Sequence, residues 1–331
     1  MKRLFRNILH YVLPILLGAF VFYWVYRDFD FREAWHAMLY EMNWGWMLFS
    51  LVFGILAPLF RGLRWKQLLE PIKSDVRTLD CIDAIYLTYA ANLIVPRAGE
   101  VTRCGLLAHN DDVPFSQAVG TVVTERLIDV LTMLVFSALV FLLQMPVFLD
   151  FFHTTGTKME SFRHLLTTPW TYVTLFSIIG IVVLLRVLLR RLSIYNKVKG
   201  VIYGMREGLL SLQDVKHKSL FWLYTILIWL SYFLHFYVAF RCFGFSEHLG
   251  VMAALVMFVA GTFAVIVPTP NGAGPWHFAV ITMMMLYGVS AHDASTFALL
   301  VHGIQTLLVV LLGVYGWISF SARRAGDSLN N

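Results

Sequence analysis

The chain consists largely of long apolar stretches, and two of these stretches break at the same tripeptide. Ile94-Val95-Pro96 ends the first and Ile266-Val267-Pro268 ends the second, and glycines follow both breaks. Lipid offers no hydrogen bonds to a backbone, so such stretches must fold as helices, and a broken helix must have its freed backbone groups buried in protein or hydrated. Broken helices at matching positions in two halves of a chain are typical of a transporter's binding site.

The low charge content excludes a soluble domain. The sequence is 59% hydrophobic and 14% charged, with a mean hydropathy of +0.70, whereas soluble domains carry about 25% charged residues. We therefore expect an all-α polytopic membrane protein with a single membrane domain over residues 1–331. The three cysteines, Cys81, Cys104 and Cys242, are far apart and odd in number. They predict small buried apolar residues and no disulfide framework.

Hydropathy predicts about six full spans and two broken hairpins. The first arm of the first hairpin, residues 81–95, would extend about 22 Å as a helix, whereas the hydrocarbon core is about 30 Å thick. Re-entrant hairpins fit these lengths, and two short crossings in place of a hairpin, giving eight spans, would preserve the same charge pattern. The predicted spans are residues 8–26, 44–60, 115–143, 170–185, 220–240 and 294–320, and the predicted hairpins are residues 79–109 and 249–288.

The distribution of lysine and arginine predicts the orientation. Eighteen of the 26 basic residues, Arg61 and Arg64 among them, lie in segments that this arrangement places in the cytoplasm, and five lie on the opposite side. Positive loops remain on the cytoplasmic side, so both termini are expected there. The order span, span, broken hairpin, span then occurs twice with opposite orientation. This predicts an inverted-topology repeat of residues 8–143 and 170–320, joined by the loop 144–169.

Charged residues inside the predicted membrane segments are candidates for a binding site. Each costs roughly 2.5–3.5 kcal/mol at the centre of a spanning helix, so they should pair in the interior or line a polar chamber where the two broken tips meet. A closed network of ion pairs that only holds helices together is the alternative, above all for the two acids four residues apart. The six residues are Arg97, Glu100, Arg103, Glu125, Arg126 and Asp129.

The second break carries no charge, and its candidates are turn residues and one histidine. A lone histidine in a membrane helix is more often a packing residue, but His277 lies directly after the break. The candidate residues here are Pro268, Asn271, Gly272, Gly274 and His277. The sequence has no phosphate-binding loop, metal-ligand spacing, nucleophile motif or basic nucleic-acid arm. We therefore expect no catalytic residues, no metal, no cofactor and no nucleic-acid partner.

These motifs resemble those of a known family. Pro96-Arg97-Ala98-Gly99-Glu100 with Arg103, followed by Glu125-Arg126-Leu127-Ile128-Asp129, is similar to the signature of the lysylphosphatidylglycerol synthetase transmembrane family, which is flippase-like. The run from Pro268 to Gly274 resembles the second motif of that family, with Asn271 at a usual glycine position. Trp276-His277 stands where many members have an acidic residue. The resemblance covers essentially the whole chain.

The resemblance implies a lipid flippase of the cytoplasmic, or inner, membrane. In the best-known members the lipids are aminoacylated phosphatidylglycerols made by a fused synthetase domain. This chain resembles a stand-alone member, with a separate lipid-modifying enzyme as a possible partner and an anionic or aminoacylated phospholipid as substrate. Arg97, Arg103 and Arg126 would attract the lipid phosphate, and the three acids would balance them.

Two other functions fit the same residues. A secondary transporter of a small polar solute would use the same pair of broken hairpins. A membrane enzyme, or the partner of one, acting on lipid headgroups would use Glu100 or His277 as an acid or base. We expect no enzymatic activity, because no nucleophile or metal site accompanies these two residues.

Overall fold

The computed structural model describes residues 13–27, 29–145 and 212–330, and this part of the chain is helical without strands. The predicted span 170–185 and most of the predicted loop 144–169 lie outside the described residues. The helices are α1 Leu13–Tyr26, α2 Phe31–His36, α3 Trp44–Leu69, α4 Thr78–Ile94, α5 Ala98–Asn110, α6 Phe115–Leu143, α7 Lys218–Val238, α8 Val251–Ala264, α9 Pro275–Leu286 and α10 Ala291–Asn330. A π-helical turn, Ala37–Glu41, follows α2, and 3₁₀ turns follow α7 (Ala239–Cys242) and precede α9 (Pro270–Gly272).

Four of the described helices are long and apolar enough to cross a membrane. They are α3, α6, α7 with its 3₁₀ turn to Cys242, and α10 from Ala291 to Gly326. Much of their surface is apolar and exposed, as at Leu131 and Val135 of α6, both 62% exposed. A surface of this kind fits hydrocarbon and not water. The chain is therefore a multi-pass membrane protein, whereas the number of spans and their orientation stay predictions.

Both predicted hairpins are present as pairs of packed helices. The arms α4 and α5 pack against each other after the break at 95–97, and α8 and α9 do the same on either side of the second break. At about 1.5 Å per residue, α4 is about 25 Å long and α8 about 21 Å. A long helix, a broken hairpin and a second long helix thus occur twice, as α3 to α6 and as α7 to α10.

The two groups of helices pack together through α3 on α7 and through α10 on α4. Small residues allow close contact: a Cβ added at Gly54 of α3 would lie 2.8 Å from His235 Cε1 of α7, and one at Gly313 of α10 would overlap Ala90 of α4. Such contacts are typical of membrane helices. One apolar core is formed mainly by residues of α7 to α10, and a smaller one lies at the first hairpin. The free cysteines are buried in these cores, as predicted.

Two predicted spans have the wrong bounds. The second span was expected to end at residue 60, yet α3 continues to Leu69, and α10 extends from Ala291 to Asn330 rather than from 294 to 320. The cause is the same at both places. Arginines that normally mark a helix end at the membrane surface are here neutralised by carboxylates from other helices, so the helices continue past them.

Candidate functional site

The first break is a tight turn fixed by side-chain hydrogen bonds. Arg97 follows Pro96 with φ 64° and ψ 8°, a left-handed conformation that is uncommon outside glycine. The Gly99 amide donates to Asn92 Oδ1 at 2.8 Å, and the Thr88 hydroxyl donates to the Gly99 carbonyl at 3.2 Å. A Cβ on Gly99 would overlap the Thr88 carbonyl. Glycine at this position is therefore required for the two arms to meet.

Next to this hairpin, a buried cluster of charges joins α3, α5 and α6. Arg103 of α5 lies 2.6 Å from Glu125 Oε2, and Arg64 of α3 lies 3.4 Å from Glu125 Oε1. Asp129, one turn further along α6, accepts from Arg64 at 2.8 Å and from Arg61 at 2.8 Å. All five residues are buried. The prediction that Glu125 and Asp129 share an inward-facing surface of α6 is thus confirmed.

Arg126 completes this cluster at its edge. Its Nη2 lies 3.3 Å from Asp129 Oδ2, and its side chain is 41% exposed. We call the arginine network the set of four arginines and two acids, Arg61, Arg64, Arg103, Arg126, Glu125 and Asp129. Its formal charge is two units positive. The Nε atoms of all four arginines, and Nη1 of Arg103, are buried and make no hydrogen bond within the described part of the chain.

Sequence reasoning missed Arg61 and Arg64, which were assigned to the cytoplasmic end of a span. That assignment is wrong, because both are buried inside α3 and paired with acids of α6. Arg64 also donates to the Thr225 hydroxyl of α7 at 3.2 Å. A local signal was present in the sequence, because the two arginines are three residues apart and share a helical face with Trp65. In the structure, the Arg103 guanidinium stacks over the Trp65 ring, with its Cζ 4.4 Å from the ring centroid.

The other two predicted charges lie outside the arginine network. Arg97 is exposed, and its Nη2 donates to the Ile266 carbonyl at 3.3 Å. Glu100 is half-buried and forms no ion pair with any described residue, and its Oε2 is buried without a hydrogen bond there. Four of the six predicted charges, Arg103, Glu125, Arg126 and Asp129, therefore belong to the network. The expectation that the two broken tips meet is confirmed by the contact between Arg97 and Ile266.

The second break is closed by neutral hydrogen bonds. After Pro268 and Thr269, the 3₁₀ turn places Asn271 at φ 51° and Gly272 at φ 72°, and Gly274 follows at φ 89°. The side-chain amide of Asn271 donates to the Thr306 hydroxyl at 2.7 Å. The backbone carbonyl of Asn271 accepts from His302 Nε2 at 3.1 Å. Asparagine tolerates left-handed backbone better than most residues. This explains how Asn271 occupies a position where glycine is usual.

His277 holds the start of α9. Its Nδ1 accepts from the Gly274 amide at 3.3 Å, which satisfies one of the unpaired N–H groups at this helix end. The ring is buried, with its centroid 4.5 Å from that of His302 and edge-on to Phe22 and Tyr26 of α1. The surroundings are aromatic and uncharged. The geometry gives His277 a structural role, and contact with a substrate stays a prediction.

A second group of charges lies at the open end of the first hairpin. Arg324 of α10 lies 2.7 Å from Asp80 and 2.5 Å from Asp111, and Arg323 pairs with Asp80 at 2.8 Å and also with Asp83. In the sequence, Asp80 and Asp83 interrupt an apolar stretch, and the two arginines follow the last predicted span. The structure instead shows that they tie the end of α10 to the beginning of α4 and the end of α5.

Apolar exposed helices, two broken hairpins whose tips meet and a buried cluster of arginines define a multi-pass membrane protein with a polar interior. The profile of the family described as the lysylphosphatidylglycerol synthase TM region matches residues 11–313. The chain therefore belongs to this family, as its motifs predicted, and its function is related to membrane lipids. No curated protein and no solved structure matches the chain.

Proposed function

We propose that the chain is a lipid transporter that moves a phospholipid between the leaflets of the cytoplasmic membrane. The observation that carries this function is the arginine network, which is buried among apolar helices, bears two positive charges in excess and lies below the tip of a broken hairpin. Membership of a lipid-related family supports a lipid as the ligand. In this function the chain carries lipid and catalyses no covalent step.

The chemistry of arginine suits a lipid phosphate. A guanidinium group presents planar donors that match a phosphate in bidentate geometry, which the single ammonium of lysine cannot do. The apolar outer surface leaves the acyl chains in the bilayer, while only the headgroup enters the polar interior. A network used solely to hold helices together would be expected to balance its charges, because uncompensated buried charge is destabilising.

The contact between the two tips acts as a closing element in this function. Arg97 donates to the Ile266 carbonyl, so the first break is tied to the second by one hydrogen bond. A headgroup that passes between the tips must break this bond, and its phosphate offers Arg97 a charged acceptor in exchange. The bond to the carbonyl has one charged partner, whereas a bond to phosphate joins two opposite charges and can be bidentate, which makes it the stronger of the two. Arg97 therefore favours the phosphate over the carbonyl.

Leaflet exchange of a labelled phosphatidylglycerol in proteoliposomes tests this function. Arg97→Gln is expected to slow exchange by about tenfold or more, equivalent to about 1.4 kcal/mol, and Arg97→Lys to slow it less. Both variants should unfold thermally like the parent, because Arg97 is exposed. Arg241→Gln changes a partly exposed arginine near Glu247 and outside the network; it is the matched control and should exchange lipid normally. Exchange by the parent no faster than in protein-free liposomes would refute the function.

A further inference from the structure

We propose that the arginine network selects a lipid headgroup of net negative charge, and that its phosphate enters sideways from the bilayer at Arg126. This inference rests on the proposed transport function and specifies its substrate class and the route of entry. It separates this chain from the aminoacylated, net cationic lipids that its resemblance suggested as one alternative. Three observations on the described residues support it: the balance of charge, the balance of hydrogen bonds and the exposure of Arg126.

The balance of charge is the first observation. The network holds four arginines and two acids, and adding its neighbours Arg97 and Glu100 leaves the excess at two positive charges. In a medium of low dielectric constant, this excess attracts an anion and repels a cation far more strongly than it would in water. A headgroup that brings negative charge lowers the energy of the site. A headgroup with a net positive charge raises it.

The balance of hydrogen bonds is the second observation. Every carboxylate oxygen of the network already faces a guanidinium: Glu125 faces Arg64 and Arg103, and Asp129 faces Arg61 and Arg64, with Arg126 as a third neighbour of Asp129. Five N–H-bearing atoms of these arginines remain buried without an acceptor in the described part of the chain. Buried polar groups are nearly always paired. The site therefore has an excess of donors, which phosphate oxygens can accept.

The exposure of Arg126 is the third observation and gives the direction of entry. Arg126 is 11 residues into α6, about 17 Å along a helix of about 43 Å. The residues beside it are apolar and face outward, with Leu127 55%, Val130 49% and Leu131 62% exposed. A half-exposed guanidinium among such residues faces hydrocarbon, where an exposed charge is costly. A phospholipid lying along α6 would place its phosphate at Arg126 and its tails on this surface.

A purely structural role for Arg126 explains less. Asp129 is already paired with Arg61 and Arg64 at 2.8 Å each, and the Arg126 contact is longer, at 3.3 Å. Asp129 does not need a third cation to be neutralised. Arg126 is therefore the member of the network that is least required for folding and most accessible from the bilayer.

Leaflet exchange of three lipids with identical labelled tails tests the selectivity. Phosphatidylglycerol carries one negative charge, phosphatidylcholine none and lysyl-phosphatidylglycerol a net positive charge. We expect phosphatidylglycerol to exchange at least about tenfold faster than lysyl-phosphatidylglycerol, with phosphatidylcholine between them. Faster exchange of the lysyl lipid would overturn the selectivity while leaving the transport function standing. Absence of exchange for all three lipids would refute transport itself.

Variants at Arg126 test the route of entry. Arg126→Gln should slow phosphatidylglycerol exchange by about tenfold, because it removes the guanidinium that meets the phosphate, and Arg126→Lys should restore part of the rate. A phospholipid with a photoreactive acyl chain should cross-link to residues 127–134 of α6, and Arg126→Gln should reduce that cross-linking, whereas Arg241→Gln should not. Unchanged cross-linking in Arg126→Gln would overturn entry at this residue.

A free anion is the other source of a phosphate group, and the same liposomes distinguish it from a lipid. Inorganic phosphate at millimolar concentration should leave phosphatidylglycerol exchange unchanged, because a sideways route requires acyl chains. Inhibition by free phosphate, together with uptake of radiolabelled phosphate into the liposomes, would overturn the lipid route and identify a soluble anion as the ligand.

Discussion

The two broken hairpins share a backbone design and differ in chemistry. In each, a proline is followed by a residue other than glycine in the left-handed conformation: Arg97 after Pro96, and Asn271 after Pro270. The first hairpin contributes Arg103 to a buried charge network, whereas residues 249–288 contain no lysine, arginine, aspartate or glutamate. The same backbone break can therefore be followed by a helix that enters a charge network or by one that carries no charge.

This difference indicates a division of roles between the hairpins. The first presents charge that can recognise a headgroup, and Glu100 and Arg97 beside it lie outside the ion-pair network. The second is closed on itself and on α10 through the Asn271, His277 and His302 contacts. We infer that substrate selectivity lies in the first hairpin and that the second provides a neutral barrier. The predictions below test this inference in order of decreasing effect.

The largest loss of stability should come from Asp129→Asn in the arginine network, which the first hairpin joins through Arg103. Asp129 is the acid that pairs with Arg61, and its loss also removes the closer of the two Arg64 ion pairs. Removing one partner of a buried ion pair costs roughly 3–5 kcal/mol. The corresponding change for the second hairpin is Thr306→Val on α10, which removes the neutral hydrogen bond from Asn271 and should cost about 1 kcal/mol. Unfolding in detergent measures both, and equal costs would show that the charge network is hydrated.

Gly99→Ala should destabilise the protein next most strongly. The added methyl group overlaps the Thr88 carbonyl, a backbone atom that cannot move without separating α4 from α5. Overpacking of this kind costs typically about 1–3 kcal/mol. Gly105→Ala is the matched control on the same helix, because nothing lies within 4 Å of the added atom. It should be neutral or stabilising by up to about 1 kcal/mol, and the same ranking should appear in thermal unfolding.

Replacing each left-handed residue by glycine should separate stability from transport. Glycine adopts this conformation without the strain of about 1–2 kcal/mol that other residues bear. Arg97→Gly and Asn271→Gly each also lose a hydrogen bond, to Ile266 and Thr306 respectively. Both variants should therefore stay within about 1 kcal/mol of the parent in unfolding assays. Lipid exchange should fall in Arg97→Gly and persist in Asn271→Gly, and the reverse result would place recognition in the second hairpin.

The smallest effect should come from an ion pair outside both hairpins. Glu70 accepts from Lys216 at 3.1 Å, and this hydrogen bond lowers the pKa of Glu70. A lowered pKa means that the pair stabilises the fold above the ordinary carboxyl range and that this contribution is lost as the pH falls through it. Glu70→Gln should nevertheless change stability by less than about 0.5 kcal/mol at neutral pH, because Lys216 is largely exposed. A larger change would show that an exposed ion pair also contributes strongly to stability, so that burial is not what sets the arginine network apart.

The sequence was informative about local features of the fold. Proline and glycine at 96–99 and 268–274 predicted both breaks, because their effect on a helix is local. Glu125 and Asp129 were predicted to face inward together, because residues four apart share a helix face. The family was also predictable, since the motif around Arg97 and Gly99 is short and contiguous.

The pairing of distant residues was not predictable from the same sequence. Arg61 and Arg64 look like the cytoplasmic end of a span because their acidic partners are 61 to 68 residues further along the chain. The Asp80 partners Arg323 and Arg324 are still more distant, at 243 and 244 residues. Charge patterns within one helix show where charges lie, whereas their compensation depends on which helices meet, and that depends on packing.

The burial of all three cysteines has a practical consequence for labelling experiments. Cys81, Cys104 and Cys242 are free thiols with at most 1% of their surface exposed, and buried thiols react poorly with water-soluble reagents. The natural sequence can therefore serve directly as the background for single-cysteine reporters. A spin label or fluorophore attached at the exposed Trp44 position of α3, and another at the exposed Ala325 position of α10, would report the spacing of these helices without removal of any native thiol.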